Sequence, residues 1–352
     1  MNKSIDPKNP VVPFAERLQP AIRGGGFIMN DYWVWCGSVV HGEDGRYHMF
    51  AARWPKEYPF FKGYQTASEI VRASADKPEG PYNFEEIVLP ERGSEFWDGR
   101  MTHNPFIIKY GDEYLLFYIG ATYEGPKPSA EEIKKIEKQD KKSGGMPWYS
   151  TIRIGMARSS SVFGPWHRPD APTLDINPSS WDCTVTTNPC PCIAPDGRIL
   201  LYYRSGQAKL GLATAASPEE PFSRPFHKPV VDPGEGLRIE DPFVFWNGSF
   251  YEMVCKDLTG EITGEFHAGI HLISPDGIEW TLAPYPKAWS REIEWDDGTT
   301  TIQANIERPF ILFEEVEPRW LFAATADGPG AQNGLPGFYY ADNTWNLVIP
   351  LT

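Results

Sequence analysis

The sequence predicts an all-β protein, a five-bladed β-propeller with a short helical insertion in the second blade. Three observations support this prediction. A β-hairpin pattern recurs five times along the 352 residues, and a third-strand pattern follows most of the hairpins. The chain also contains 32 glycines, 34 prolines and 13 tryptophans, a composition typical of short strands joined by many turns.

Each hairpin pattern begins with a polar residue, which a proline usually follows. An apolar strand, a tight turn and an aromatic-rich strand come next. Turns such as Asp44-Gly45 and Asn247-Gly248 are typical of β-hairpins, in which they join two antiparallel strands. The five hairpins begin at Gly37, Asn104, Asn188, Asp241 and Arg308. Five matching units favour one propeller over two separate β-sandwiches, which are the alternative.

The third-strand pattern recurs at residues 70–74, 154–159, 210–215 and 268–274. A turn and a short outer strand are expected to follow each of them, so that a unit has three to four strands. Five such units predict a single domain over residues 1–352, although chain length alone suggests two.

Two segments fall outside the repeat. Residues 1–25 are predicted to form an N-terminal arm that joins the last blade, which the strands at 337–340 and 345–349 would close. Residues 125–150 are an insertion in blade 2, where a helix is predicted over 129–142 because Ser129 and Glu132 match a capping box. This helix is interpreted either as a solvated surface helix or as a lid or dimer element, and an oligomer would form through the insertion or the arm.

The net charge of −14 argues against nucleic acid and anionic membranes as partners. No apolar run is long enough to span a bilayer. The start of the chain has no signal-peptide pattern, and the five cysteines show no disulfide framework. A cytoplasmic location is therefore expected, or a periplasmic or secreted one if a leader has been removed. No nucleotide-binding motif is present, so no cofactor is expected apart from a central Ca²⁺ or other ion.

The residues that enter the innermost strands are expected to point into the mouth of the central channel. They are polar in every repeat: Cys36-Gly37, His103-Asn104, Thr187-Asn188, Glu240-Asp241 and Glu307-Arg308. A charge at this buried neck costs several kcal/mol unless it is paired, so the charged pairs indicate a function. For Asn104 and Asn188 a purely structural turn before proline is the alternative.

An aspartate recurs six residues ahead of the first three hairpins, at Asp31, Asp98 and Asp182. Each is interpreted either as a catalytic group or as a structural cap of the loop between blades. Two or three carboxyl groups in an aromatic-walled pocket are what glycoside hydrolysis requires, one protonated and one ionised. Trp35 and Trp97 are predicted to stack on sugar rings.

The five hairpins and the Ala-x-Ser…Gly-Pro-Trp signature resemble the five-bladed propeller glycoside hydrolases of families 43, 117 and 32. Residues 240–242 resemble the Asp-Pro strand entry that carries the pKa-tuning aspartate of family 43, and residues 307–309 its Glu-x-Pro entry with the general acid. Residues 240–242 also fit Glu-x-Pro. Residues 29–31 are similar to the Met-Asn-Asp of the invertase-like family, whose aspartate is the nucleophile. Family 43 would place its base where this chain has Cys36-Gly37.

The leading hypothesis is therefore an exo-acting glycosidase on a plant or algal oligosaccharide. It makes Asp31 or Asp98 the base or nucleophile and Glu240 or Glu307 the general acid. It assigns to Asp182 and Asp241 the tuning of a pKa or the binding of a sugar hydroxyl.

Four further residues complete the predicted site. Asn104, Asn188 and Arg308 would bind substrate, and His103 would bind substrate, act as an alternative acid as in family 117, or hold an ion. Two alternatives stay open. A glycoside phosphorylase would bind phosphate through Arg100, Arg238 and Arg308, and a non-catalytic carbohydrate-binding propeller would pair its carboxylates with Arg238 and Arg308.

Overall fold

The computed structural model describes residues 10–139, 145–234, 237–328 and 341–352. Five antiparallel sheets form the five blades of a propeller, and within each blade consecutive strands are hydrogen-bonded neighbours. The predicted fold class is confirmed. None of the helices in these ranges is long and apolar enough to cross a membrane.

The strands are numbered along the chain, and the innermost strand of each blade is named first below. The first strand of the chain, β1 (Phe27–Ile28), belongs to the last blade. Blade 1 consists of β2 (Tyr32–His41), β3 (Tyr47–Pro55), β4 (Glu69–Ala75) and β5 (Asn83–Leu89). Blade 2 consists of β6 (Met101–Tyr110), β7 (Glu113–Ala121) and β8 (Arg153–Ser159). Blade 3 consists of β9 (Thr187–Ile193), β10 (Ile199–Ser205) and β11 (Lys209–Ala215).

Blade 4 consists of β12 (Ile239–Trp246), β13 (Tyr251–Asp257), β14 (Gly269–Ser274) and β15 (Thr281–Trp289). A separate ribbon of β16 (Glu292–Glu294) and β17 (Thr300–Ile302) leads to blade 5. Blade 5 consists of β18 (Asn305–Glu314), β19 (Glu317–Ala326), β20 (Thr344–Pro350) and β1.

The ring closes in two ways. Each innermost strand contacts the innermost strand of the next blade, and β18 of the last blade contacts β2 of the first. In addition, β1 pairs with β20, so the N-terminal segment supplies the outer strand of blade 5. β1 follows the predicted arm of residues 1–25, and within that arm Leu18 bridges to Leu351 and the Ile22 N–H donates to the Val348 carbonyl oxygen of the last blade. Residues 345–349 lie in β20, whereas the strand predicted at 337–340 lies outside the described residues.

The outer strand predicted for blades 2 and 3 is reduced to isolated bridges. In blade 2, β8 is bridged by His167 and Leu174, and in blade 3, β11 is bridged by Ser223 and Val231. Prolines interrupt both outer segments, at positions 165, 169 and 172 and at 221, 225 and 229. Because proline has no backbone N–H to donate, it prevents a continuous ladder there.

Two α-helices lie between strands of blades 1 and 2, α1 (Phe60–Ala67) and α2 (Ala130–Gln139). Short 3₁₀ helices occur at Phe14–Arg17, Pro147–Thr151 and Gly206–Ala208. The predicted capping box is present, because the Ser129 backbone N–H donates to Glu132 Oε2 over 2.7 Å. The predicted end of that helix lies outside the described residues. α2 is not only a solvated helix, since its Ile133 is fully buried, and α1 was not predicted from the sequence.

A cluster of three phenylalanines closes the channel below the strand entries. Phe106, Phe243 and Phe310 come from blades 2, 4 and 5, yet their ring centroids lie only 5.2–5.6 Å apart. Each follows a polar strand-entry residue by two positions, so it faces the axis one layer deeper. The channel is therefore a cavity with an apolar floor.

Two of the recurrent aspartates belong to one repeated structural motif. Asp98 is fully buried and accepts hydrogen bonds from Tyr118 Oη at 2.6 Å and from Arg92 and Arg168, both at 2.7 Å. The Trp97 ring stacks on Tyr118 at 5.6 Å. The motif ties the loop that enters blade 2 to its outer segment.

Blade 3 repeats this arrangement. Asp182 is fully buried, accepts from Tyr203 Oη at 2.8 Å and pairs with Arg224 at 2.5 Å, while Trp181 stacks on Tyr203. Arg224 directly follows the bridging residue of its outer segment, as Arg168 does in blade 2. The equivalence favours the structural interpretation of both aspartates.

We expect Asp98→Asn to lower the free energy of unfolding by about 3–5 kcal/mol, because Arg92 and Arg168 would lose their buried counter-charge. Asp170→Asn is the matched control: Asp170 pairs with the same Arg92 at 3.2 Å, but its side chain is 84% exposed, so about 0–1 kcal/mol is expected. Urea unfolding measures both values. An equal effect of the two substitutions would contradict the role given to Asp98.

Candidate active site

A cavity of about 530 Å³ lies above the phenylalanine floor, within the size range that holds small ligands. Its aromatic wall consists of Trp35, Trp54, Phe60, Phe61, Tyr64 and Tyr149. Its polar lining includes His103, Asn104, Thr187, Asn188, Arg204, Arg238, Glu240, Asp241, Glu307 and Arg308. The aromatic residues come from blade 1, from α1 and from the blade 2 insertion. The polar residues come from blades 2 to 5.

The polar side chains converge because every innermost strand is irregular at the same point. One residue in each has a left-handed backbone with φ between 51° and 61°: Cys36, Asn104, Asn188, Asp241 and Arg308. The pairing register shifts beside each of these residues. Such a bulge bends a strand and re-aims a side chain. We call these five residues the entry ring.

Hydrogen bonds connect the entry ring around the channel. The Cys36 thiol donates to Asn104 Oδ1 at 2.9 Å, and Asn104 Nδ2 donates to Asn188 Oδ1 at 3.1 Å. Asn188 Nδ2 donates to Asp241 Oδ1 at 2.5 Å, and the Arg308 guanidinium donates to the same oxygen at 3.4 Å. Burial raises the pKa of Cys36 well above its usual value, so the thiol keeps the proton that it donates.

A buried lysine holds the three carboxyl groups together. Lys256 on β13 is fully buried, and its Nζ lies 2.6 Å from Glu240 Oε1, 2.8 Å from Glu307 Oε1 and 3.6 Å from Asp241 Oδ2. Arg204 Nε approaches the other oxygen of Glu240 at 3.1 Å. Four blade strands, β10, β12, β13 and β18, therefore supply one charge cluster.

The charge cluster shifts the pKa values of the two glutamates in opposite directions. Burial raises the pKa of Glu307 to about 7; Lys256 opposes this shift, and the nearby Asp241 and Glu240 add to it. Burial also disfavours the charge of Glu240, but Lys256 and Arg204 outweigh it and hold the pKa of that carboxyl well below its usual range. At neutral pH one carboxyl thus retains a proton for much of the time while its neighbour is ionised.

His103 lies in the cavity wall as a neutral ring. Its Nδ1 is 2.8 Å from the Ser68 hydroxyl, and the ring stacks on Tyr64 with centroids 4.7 Å apart. Burial, with a smaller contribution from Arg308, lowers the pKa of His103 to about 3. A ring with this pKa suits substrate contact better than the role of general acid.

Eight of the twelve predicted site residues line this cavity: Trp35, His103, Asn104, Asn188, Glu240, Asp241, Glu307 and Arg308. Asp98, Asp182 and Trp97 lie instead in the structural motifs of blades 2 and 3. Asp31 is exposed and lines a separate shallow pocket with Lys56 and Glu57. Because Cys36, not Gly37, is the equivalent of Asn104 and Asn188, the residue six positions ahead in blade 1 is Asn30.

The repeat pattern of the sequence does not indicate Lys256, Arg204 or the aromatic residues of α1 as parts of the site. A signal for Lys256 was present, because it lies directly opposite Glu240 in the β12–β13 hairpin. Arg204 lies opposite Thr187 in the equivalent hairpin of blade 3. Cross-strand neighbours of the entry residues therefore carry information that the entry residues alone do not.

The described ranges contain no group of three or more His, Cys, Asp or Glu side chains arranged to hold a metal ion. The carboxyl groups of the cavity already face Lys256 and Arg308. A central Ca²⁺ or other ion stays a prediction from the sequence.

No family model and no curated protein matches the chain. Solved structures of similar fold include Zg3597, a family 117 glycoside hydrolase of the marine bacterium Zobellia galactanivorans, with a TM-score of 0.61 and 15% identity over 95% of this chain and 88% of that one. A thermostable family 43 glycoside hydrolase has a TM-score of 0.59 and 12% identity, over 92% of this chain and 91% of that one. An exo-1,5-α-L-arabinanase from a bovine ruminal metagenomic library has a TM-score of 0.56 and 12% identity, over 92% of this chain and 94% of that one. The resemblance to families 43 and 117 is confirmed for the fold.

We expect Lys256→Met to lower the free energy of unfolding by about 3–5 kcal/mol, because it leaves buried carboxylates without a counter-charge. The loss should be larger at pH 8 than at pH 5.5. Without the lysine, burial raises the folded-state pKa of Glu240 and Glu307 above the unfolded value. Such groups stabilise the fold below the unfolded pKa and lose that contribution as pH rises through the folded pKa.

Urea unfolding at the two pH values measures this difference against the wild type. Lys134→Met is the control, since its ion pair with Glu131 on α2 is exposed and screened by solvent and should contribute little to stability. A loss in Lys256→Met that does not change with pH would contradict the assignment.

Proposed function

We propose that the protein is a glycoside hydrolase in which Glu307 is the general acid and Glu240 is the ionised catalytic carboxylate. The observation that carries this proposal is the pair of neighbouring carboxyl groups with opposite preferences for the proton, at one end of an aromatic-walled cavity. Glycoside hydrolysis needs this combination to protonate the leaving oxygen and to stabilise or attack the anomeric carbon. Asp241 raises the pKa of Glu307 and is the tuning residue.

The separation of the two carboxyl groups supports a retaining mechanism. Because Lys256 Nζ lies 2.6 Å from Glu240 Oε1 and 2.8 Å from Glu307 Oε1, the two oxygens that face the lysine are at most 5.4 Å apart, and this bound applies to that pair of oxygens. Retaining enzymes place their carboxyl groups about 5–5.5 Å apart, and inverting enzymes about 6.5–9.5 Å. Glu240 is then the nucleophile, in place of Asp31 or Asp98, neither of which lines the cavity.

The chemistry proceeds in two displacements. Glu240 attacks the anomeric carbon while Glu307 gives its proton to the departing oxygen, which leaves a glycosyl ester on Glu240. Glu307, now ionised, takes a proton from water, and the resulting attack on the anomeric carbon releases the sugar and restores both groups.

We further propose exo-action on a plant or algal oligosaccharide. The phenylalanine floor supports this, because a cavity that is closed below accommodates a chain end. The aromatic wall suits sugar faces, and the polar entry ring suits hydroxyl groups. The likeness in fold to an exo-1,5-α-L-arabinanase and to a family 117 enzyme of a marine bacterium is compatible with such a substrate.

A glycoside phosphorylase is the second candidate, favoured by the arginines in the cavity lining, among them Arg238. Turnover that requires inorganic phosphate and yields a sugar phosphate would identify it. A binding protein without catalysis is favoured by the ion pairs of the cavity carboxyl groups, of Asp241 with Arg308 and of both glutamates with Lys256.

We expect Glu307→Gln to lower kcat/KM on oligosaccharides by about 10²–10⁴-fold, because the general acid is lost. Aryl glycosides with acidic phenol leaving groups should be affected much less, since they need no proton. The wild-type rate should fall above about pH 7 as Glu307 ionises, and the variant should lack this decline. Glu86→Gln, whose partly exposed carboxyl pairs with Arg72 outside the cavity, is the control. Equal losses on both substrate types would contradict the acid role.

We expect the sugar to be released with its anomeric configuration retained. Proton NMR of the product that forms first measures this configuration. Glu240→Ala should be inactive on all glycosides, and added azide should restore turnover by forming a glycosyl azide of inverted configuration. Release of the inverted sugar by the wild type would contradict the nucleophilic role of Glu240.

A further inference from the structure

The cavity carries more positive than negative charge, although the chain has a net charge of −14. Three arginines line it, Arg204, Arg238 and Arg308, and Lys256 lies directly behind the carboxyl groups. Only three acidic groups face them, Glu240, Asp241 and Glu307. Among the described residues the cavity therefore has an excess of one positive charge, and of two when Glu307 is protonated.

The excess is not spread evenly over the cations. Arg204 and Lys256 are in contact with Glu240 at 3.1 and 2.6 Å. Arg308 reaches Asp241 with one terminal nitrogen at 3.4 Å, but its Nε is buried and has no hydrogen-bond partner in the described part of the chain. The Arg308 side chain lines the cavity and is only 7% exposed, and its long contact with Asp241 leaves its charge incompletely compensated.

Arg238 is the second cation with binding capacity to spare. It directly precedes β12 and lines the cavity together with Glu240, which lies two positions further along the chain. Its carbonyl oxygen accepts from the Leu258 N–H at 2.9 Å, but its side chain makes no hydrogen bond or ion pair within the described ranges. Its side chain lines the cavity from an exposed position.

We propose that Arg308 and Arg238 bind an oxyanion in this cavity, either the carboxylate of an acidic sugar or phosphate. The inference rests on the proposed function and deepens it, because it names the substrate class of the same cavity. A planar guanidinium presents parallel N–H groups that match the two oxygens of a carboxylate or phosphate. A neutral sugar would leave the positive charge of the cavity without a counter-charge.

Binding of galacturonate and glucuronate, measured by calorimetry, tests the proposal against a matched series. The methyl esters of the two acids have the same ring and hydroxyl groups but no charge, and galactose and glucose lack the carboxyl group. We expect each acid to bind at least about tenfold more tightly than its ester, and this preference to weaken with added salt. Equal affinity of acid and ester, together with no binding of inorganic phosphate, would overturn the proposal.

Arg238→Gln should reduce the preference for the acid at least about fivefold, and Arg238→Lys should keep part of it. Arg198→Gln is the control for overall charge, because Arg198 is exposed on a hairpin turn and pairs there with Asp196. An unchanged preference in Arg238→Gln would overturn the assignment of Arg238. Since Arg308 belongs to the entry ring, its variants are unsuitable as the first test.

Inorganic phosphate distinguishes the two sources of the oxyanion. Competition by uronates and not by phosphate supports an acidic sugar, and tight binding of phosphate with weak binding of uronates supports phosphate. Binding without cleavage of any glycoside would refute the proposed function and leave this inference standing. Cleavage of neutral glycosides without binding of either anion would do the reverse.

Discussion

The contact on which the site depends is that of Lys256 with Glu240, Asp241 and Glu307. Three acidic groups cannot share the neck of a propeller unless a cation offsets their repulsion and their loss of hydration. Lys256 provides this charge from behind the cavity wall, with its Nζ 2.6 and 2.8 Å from the two glutamates. The same cation acts unequally, because Arg204 assists it at Glu240 while Asp241 opposes it at Glu307. The difference in acidity between the two glutamates follows from these unequal surroundings.

The entry ring explains how a repeated fold builds a site without symmetry. All five innermost strands bulge at the same position with a left-handed residue, a conformation that asparagine and aspartate tolerate better than other side chains. The backbone solution is thus common to every blade, and only the side chain differs. Asn104 and Asn188 carry the hydrogen-bonded ring, whereas Asp241 and Arg308 also place charge in it.

The repeat also separates structural from functional carboxylates. Asp98 and Asp182 occur at one blade offset and satisfy the same tyrosine and arginine contacts, so they hold outer segments in place. Glu240 and Glu307 also occur at one offset, directly ahead of the entry ring, but face the channel. A recurrent acidic residue is therefore not evidence of catalysis by itself, since its position relative to the bulge determines which role it has.

The sequence by itself determined the fold class, four of the five hairpin starts, the capping box at Ser129 and eight residues of the cavity, because strand alternation and turn residues are local signals. It did not separate Asp31, Asp98 and Asp182 from the site, because an offset along the chain does not show whether a side chain faces the axis or a neighbouring loop. Only the tertiary structure brought Lys256 and Arg204 to Glu240 and placed α1 in the wall. The ion pairs of this cluster join residues 16 to 51 positions apart. The opposite protonation of Glu240 and Glu307 arises from burial and charge that exist only once the ring has closed.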